Sequence, residues 1–202
     1  MLTPAEIKSL LTGLGLRERV LVLLAASTGL RQSELFGMKW CDIDFAQHTM
    51  NVVRSIVYGV VGPRKTESSQ KPVPVHPTVL EELGKWREIC RYKKSADWVF
   101  ASRRQCSEAN LGPGDPAKYI RPAAQKVGIP KRFGWHTFRH TYSTLLRSVG
   151  TEFKVMQELL QHSSLRSTLD VYTQAISPAK HAAQAAVLAL VFTAETNTTG
   201  LG

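Results

Sequence analysis

The chain has 202 residues, 43% of them hydrophobic; that is enough for one domain with a sizeable core and excludes wholesale disorder. Lys and Arg number 26 against 16 Asp and Glu, a net charge of +10 that points first to a nucleic-acid partner and second to an acidic membrane surface. Three scattered cysteines, Cys41, Cys90 and Cys106, form no CxxC, so a disulfide framework and a zinc knuckle are excluded and a reducing cytoplasm fits.

The opening "TPAE" places Thr3 at an N-cap, Pro4 in the first turn and Glu6 three residues after the cap, so a helix is expected from residue 4. No basic run followed by an apolar stretch precedes it, so no signal peptide is expected. "LRERVLVLLAAST" reads as a second, buried helix, and a third, short one is expected from Gln32 after the Gly-Leu turn. From Trp40 the pattern changes. "WCDIDF", "MNVVRSIVYGV" and "KPVPVHP" alternate or are β-rich and predict a small antiparallel sheet, with "GPRKTESSQ" as the hairpin tip. Pro72 and Pro74 put the last strand at an edge. Helical patterns return in "TVLEELGKWREICRYKK", "PAKYIRPAAQKVG", "WHTFRHTYSTLLRSV", "EFKVMQELL", "SLRSTLDVYTQA" and "PAKHAAQAAVLALVF". "SRRQCSEANLGPGDP" is expected to be a surface loop, and "AETNTTGLG" a frayed tail. The apolar stretch before that tail is short of the ~20 residues a spanning helix needs, so no membrane partner is expected. The fold class is mainly α with a small antiparallel β-sheet.

"WHTFRHTY" holds the most chemistry. His136 and His140, four apart, share a helix face, as zinc ligands would; but a helical zinc-protease site needs Glu as its base at the second position, where Thr137 stands, and Arg139 would put a permanent cation beside the metal. A phosphate site suits the residues better. Arg139 offers a planar fork of donors to phosphate oxygens, and His136 one turn earlier adds a hydrogen bond and a group able to move a proton near neutral pH. The opposite face, with Phe138, Tyr142, Leu145 and Leu146, is expected to anchor the helix in the core. Local capping or ion pairing of His136 and Arg139 is the plain alternative.

Three further stretches extend the pattern: Arg31 and Glu34 in "TGLRQSEL", Lys65 in "RKTESSQK", and His162 ten residues before Tyr172 in "QHSSLRSTLDVYTQ". The ordered set resembles the catalytic domain of the tyrosine recombinases, the phage integrase and Xer-like family, over about residues 1–176. The resemblance implies that fold, with 177–202 as a C-terminal helix and tail. It implies cleavage and rejoining of double-stranded DNA with no metal, ATP or other cofactor. Tyr172 would attack the scissile phosphate and form a 3′-phosphotyrosine, releasing a 5′-hydroxyl. Arg31 and Arg139 would clamp the non-bridging oxygens, and His162 would donate to one of them. Lys65 would protonate the 5′-oxygen, His136 would act as acid or base, and Glu34 would orient Arg31. Arg64, Lys71, Arg103 and Arg104 are candidates for contact with the DNA backbone. Gln161 stands where the family usually has Gly before the late His.

The resemblance also implies a tetramer on DNA, joined through the apolar segment after Tyr172, and a cytoplasmic, nucleoid-associated protein of bacterial or phage origin. Members commonly carry an N-terminal core-binding domain, and this sequence is read as starting at the catalytic domain. The competing functions are a DNA-binding remnant that no longer cuts, or that competes with an intact integrase, and relaxation like that of type IB topoisomerases.

Overall fold

The caps and glycines written into the first 37 residues set three helices in a row. In a computed structural model that describes residues 1–63, 72–101 and 116–160, helix α1 (Pro4–Thr12) opens with the expected box: Glu6 N–H donates to Thr3 Oγ1 at 3.2 Å, and Thr3 N–H donates to Glu6 Oε2 at 2.7 Å. Helix α2 (Leu16–Thr28) is apolar on most sides because it is surrounded: it packs against α1, the short helix α3 (Gln32–Phe36), α4 (Pro77–Ile89) and α6 (Trp135–Ser148). Val20, Val22 and Leu24 of α2 are fully buried, and burial of each such side chain contributes about 1.5–3 kcal/mol. The remaining helices are α5 (Pro116–Lys126) and α7 (Phe153–Leu159). The chain divides into two units, Met1–Ser163 and Ser164–Gly202, the second of which lies outside the described residues.

The molecule is mainly α with antiparallel strands, as expected, but the strands divide differently. "WCDIDF" begins as a single 3₁₀ turn, Trp40–Asp42, because Asp42 Oδ2 takes the Lys39 N–H (2.7 Å) and the Trp40 indole N–H reaches the Tyr92 carbonyl (2.9 Å). Only β1 (Ile43–Asp44) is extended; it pairs with β2 (Thr49–Met50), which pairs with β5 (Val73–Pro74). The proline strand β5 is therefore at an edge. The second sheet is a hairpin of β3 (Arg54–Val57) and β4 (Val60–Pro63). Its turn is Tyr58-Gly59, with φ of 51° and 79°, rather than "GPRKTESSQ". Two positive φ values suit a two-residue turn to the twist of the strands, and Gly59 supplies one of them without strain. Gly62 and Pro63 of the expected tip close β4, and residues 64–71 lie outside the described residues. Helix α4 also stops at Ile89, short of Lys94, where the chain turns back to give the Tyr92 carbonyl to Trp40. Among the described residues no helix is long and apolar enough to cross a membrane.

Candidate phosphate-binding site

An aromatic cluster brings α3 to α6. Phe36, the last residue of α3, meets Trp135, the first of α6, edge to face at 5.7 Å; Trp135 lies 5.9 Å from Phe138, which meets Phe133 at 5.7 Å. The buried positions of α6 are Trp135, Phe138, Thr141 and Ser143. Of the four residues expected to anchor this helix, Phe138 is fully buried, but Tyr142, Leu145 and Leu146 are half-buried. Thr141 takes the inner position in their place, where its Oγ1 accepts the Leu2 N–H at 3.2 Å, and the Leu2 side chain is itself buried.

Arg31 and Glu34 form one unit at the start of α3. The Glu34 carboxylate reaches back to take the Arg31 N–H at 2.7 Å and the Arg31 guanidinium at 2.8 Å. Glu34 is buried, whereas 41% of the Arg31 side chain is exposed, so the guanidinium is held by the protein and still open to an anion.

Arg139, half-buried on α6, is held by main-chain oxygens. One terminal nitrogen donates to Gly29 O at 2.5 Å and the other to Leu160 O at 2.6 Å, both charge-assisted bonds. Burial pushes its pKa down to about 10; the Arg31 charge acts in the same direction, and Glu34 opposes both. Arg139 thus stays cationic at neutral pH, and two guanidinium groups and one carboxylate share a single electrostatic site. Two like charges held together in partly dry surroundings favour an incoming anion that neutralises both. Two of Arg139's five N–H donors are committed to carbonyls, which leaves donors for phosphate oxygens.

In the sequence Gly29 is only a turn residue, yet its carbonyl builds this site. It caps α2 with φ +64°, and a Cβ there would stand 2.5 Å from Tyr142 Cδ1 and 3.1 Å from Leu160 Cδ2. The left-handed conformation and close packing aim its carbonyl at Arg139. The sequence signal was the glycine directly after a helical run, a C-terminal cap. Leu160 contributes through a backbone oxygen, for which a side-chain pattern gives no signal. Tyr142, packed over Gly29, has its phenol pushed above the ordinary value by burial.

His136 lies on α6 one turn before Arg139 and is exposed, as is His140. Among the described residues no three His, Cys, Asp or Glu side chains gather as a metal set. The structure therefore brings Arg31, Glu34 and Arg139 together and places His136 on the same helix as Arg139. Lys65, His162 and Tyr172, with Arg64, Lys71, Arg103 and Arg104, lie outside the described residues.

A family model described as the phage integrase family matches residues 1–177. The chain belongs to the phage integrase family. It is 34% identical over 197 residues to a tyrosine recombinase XerC-like protein of Caldanaerobacter subterraneus, a match covering 87% of this chain and 50% of that protein. The integrase-family chain thus spans about half the length of that relative. Two solved structures share the fold. The Tn1549 transposon integrase, in complex with circular intermediate DNA, superposes with a TM-score of 0.75 at 23% identity, covering 93% of this chain and 66% of that one. The catalytic domain of bacteriophage HP1 integrase does so with a TM-score of 0.57 at 17% identity, covering 91% and 93%.

Proposed function

We propose that this chain is the catalytic part of a site-specific recombinase that breaks and rejoins double-stranded DNA through a 3′-phosphotyrosine. The observation that carries the reading is the joint site of Arg31 and Arg139, two cations from distant parts of the sequence, with the Glu34 carboxylate bonded to the first and acting electrostatically on the second. Such a pair suits the non-bridging oxygens of a phosphodiester, whose charge rises as the phosphorus becomes pentacoordinate. In this proposal the Tyr172 phenolic oxygen attacks phosphorus, the bond to the 5′-oxygen breaks, and the phenolic proton passes to a base, with His136 as the candidate. The Lys65 ammonium gives the 5′-oxygen its proton, and His162 donates to a phosphate oxygen. The phosphotyrosine keeps the energy of the broken ester, so a second 5′-hydroxyl reseals DNA without ATP or metal. Glu34 holds Arg31 in its pose; Arg64, Lys71, Arg103 and Arg104 bind DNA backbone.

The same proposal takes 1–176 as the catalytic domain and 177–202 as a segment that docks on a neighbouring protomer in a DNA-bound tetramer. It places the protein in the cytoplasm on nucleoid DNA. The family match and the named recombinase relative support the reading. A second reading is a DNA-binding chain that does not cut, for which the net charge of +10 supports salt-sensitive contact with DNA.

The deciding experiment is covalent trapping without divalent metal. Nicked duplexes that lose a short fragment on cleavage are incubated with the chain, and adducts stable to SDS are counted. An adduct that disappears in Tyr172→Phe is expected. Salt-sensitive binding with no adduct would assign the chain to the second reading.

A further inference from the structure

Helix α4 keeps a glycine that its own packing does not require. Gly84 stands in the interior of the helix, where only proline is less favourable. A Cβ there would meet no atom within 4 Å, so no contact among the described residues needs the missing side chain. The space opens into a groove of about 450 Å³ lined by Phe45, Gly84, Arg87, Glu88 and Lys93.

The walls of this groove are held in place. Asp44 Oδ1 accepts the N–H groups of Ala46 and Gln47 at 2.9 and 2.8 Å, which fixes the turn that carries Phe45, and Phe45 packs against the core. The Arg87 guanidinium lies 5.3 Å from the centre of the Trp40 ring, and its Nε donates to the Lys93 carbonyl at 3.2 Å. Stacking and a main-chain bond thus hold this cation in one pose. Among the described residues no ion pair joins it to a carboxylate; Glu82, earlier on α4, is taken by Arg19 and Lys85. Past the end of α4 come Arg91, 5.6 Å from the centre of the Tyr92 ring, and then Lys93 and Lys94, all exposed. From 87 to 94 the sequence has four cations and one acid, Glu88. Burial pushes the Cys90 thiol up while the Lys93 and Arg87 charges pull it down, so both cations act on one small region.

The groove is separate from the phosphate site. Glu82 meets Arg19 near the start of α2, and the Trp86 indole N–H donates to the Val99 carbonyl, next to Phe100, whose carbonyl takes the Arg17 guanidinium. The C-terminal half of α4 therefore lies at the N-terminal end of α2. Gly29, which holds Arg139, closes the other end, about 15 Å along the helix from Arg19.

We infer that this groove docks an acidic segment of another protein, with one large aliphatic side chain entering beside Gly84 against Phe45 and flanking carboxylates pairing with Arg87 and Lys93. An apolar floor rimmed by held cations matches such a segment in both shape and charge. A nucleic-acid backbone fits less well, since its phosphates would leave the floor uncovered and would meet Glu88. A second copy of this chain also fits less well: its only adjacent acids are Glu81 and Glu82, and Glu82 is committed to Arg19 and Lys85. The docked segment leaves Arg31 and Arg139 free, and such docking stands whether or not the chain cuts DNA.

The test is fluorescence anisotropy of the 202-residue chain with a labelled probe peptide, a central leucine flanked by runs of glutamate. Saturable binding is expected, and it should weaken about tenfold or more when glycine replaces the leucine or glutamine replaces the glutamates. Gly84→Leu fills the groove and should weaken binding about tenfold or more, while the better helix former raises Tm by about 2 °C. Arg87→Met should weaken binding by a similar factor; should it fail to fold, Gly84→Leu decides alone. Arg31→Ala, altered at the distant phosphate site, should bind the peptide within about twofold of the unaltered chain. No saturable binding below about 1 mM, equal binding of the glycine-centred peptide, or binding that Gly84→Leu leaves unchanged overturns the proposal. So does loss of binding in Arg31→Ala, which would put the peptide on the phosphate site. An oligothymidine strand or a short duplex that binds more tightly than the peptide and with the same sensitivity to Gly84→Leu would assign the groove to nucleic acid and overturn it too.

Discussion

Replacing Gly29 with alanine tests the geometry that holds Arg139. The residue sits at φ +64°, and the added Cβ would stand 2.5 Å from Tyr142 Cδ1 and 3.1 Å from Leu160 Cδ2. A non-glycine residue in that conformation costs about 1 kcal/mol, and forcing a methyl group into a packed contact costs about 1–3 kcal/mol, so Gly29→Ala is expected to lose about 2–4 kcal/mol. For a chain of this size each kcal/mol lowers Tm by about 2–4 °C, so a drop of roughly 5–15 °C should appear in thermal unfolding followed by circular dichroism. The two costs are separable. Tyr142→Ala removes the ring that the new methyl group strikes, so the double variant should recover part of the loss, with a coupling of about 1–2 kcal/mol in a double-mutant cycle. Displacing the Gly29 carbonyl also removes an acceptor from Arg139, so adduct formation should fall further than the fraction unfolded explains. A loss below 1 kcal/mol together with strict additivity of the two substitutions would refute the packing argument.

Two other substitutions probe the charges. Arg139→Lys keeps a cation but cannot span Gly29 O and Leu160 O while forking a phosphate, so adduct yield should fall about 10²–10³-fold with little change in the salt dependence of DNA binding measured by gel shift. Glu82, bonded to Lys85 and paired with Arg19, has its carboxyl held below the usual value, chiefly by the Lys85 hydrogen bond. A depressed folded pKa gives stability that is complete above the unfolded value of about 4.5 and is lost as pH falls through the folded value. Glu82→Gln should therefore flatten the acid limb of a Tm-against-pH curve below pH ~4.5 and leave its neutral limb parallel to that of the unaltered chain; an unchanged acid limb would remove Glu82 from the account.

Much of the helical layout was legible because its signals are local. Thr3, Pro4 and Glu6 specify a helix start within four residues, and a run such as "LRERVLVLLAAST" followed by glycine specifies both a buried helix and its end. The strands were less legible. Two-residue strands carry almost no periodicity, and a Tyr-Gly turn between valines looks like the middle of a strand until the partner strand is known. The order of Arg31, Glu34, His136 and Arg139 along the chain was enough to suggest phosphate chemistry, since residue types and helical spacing are properties of sequence.

What tertiary structure alone decided is how those groups are held. The Phe36–Trp135 contact that brings α3 to α6, the Gly29 and Leu160 carbonyls that grip Arg139, and the Asp42 and Gly37 oxygens that hold Arg54 all join residues distant in the chain. Backbone oxygens and packing contacts of that kind depend on where two separate elements meet, and no local pattern encodes a meeting point. The amino-acid sequence by itself determined which side chains are available for chemistry and which helices carry them; the packing of the helices around α2 decided that two arginines share one site, because like charges stay together only where a folded framework holds them.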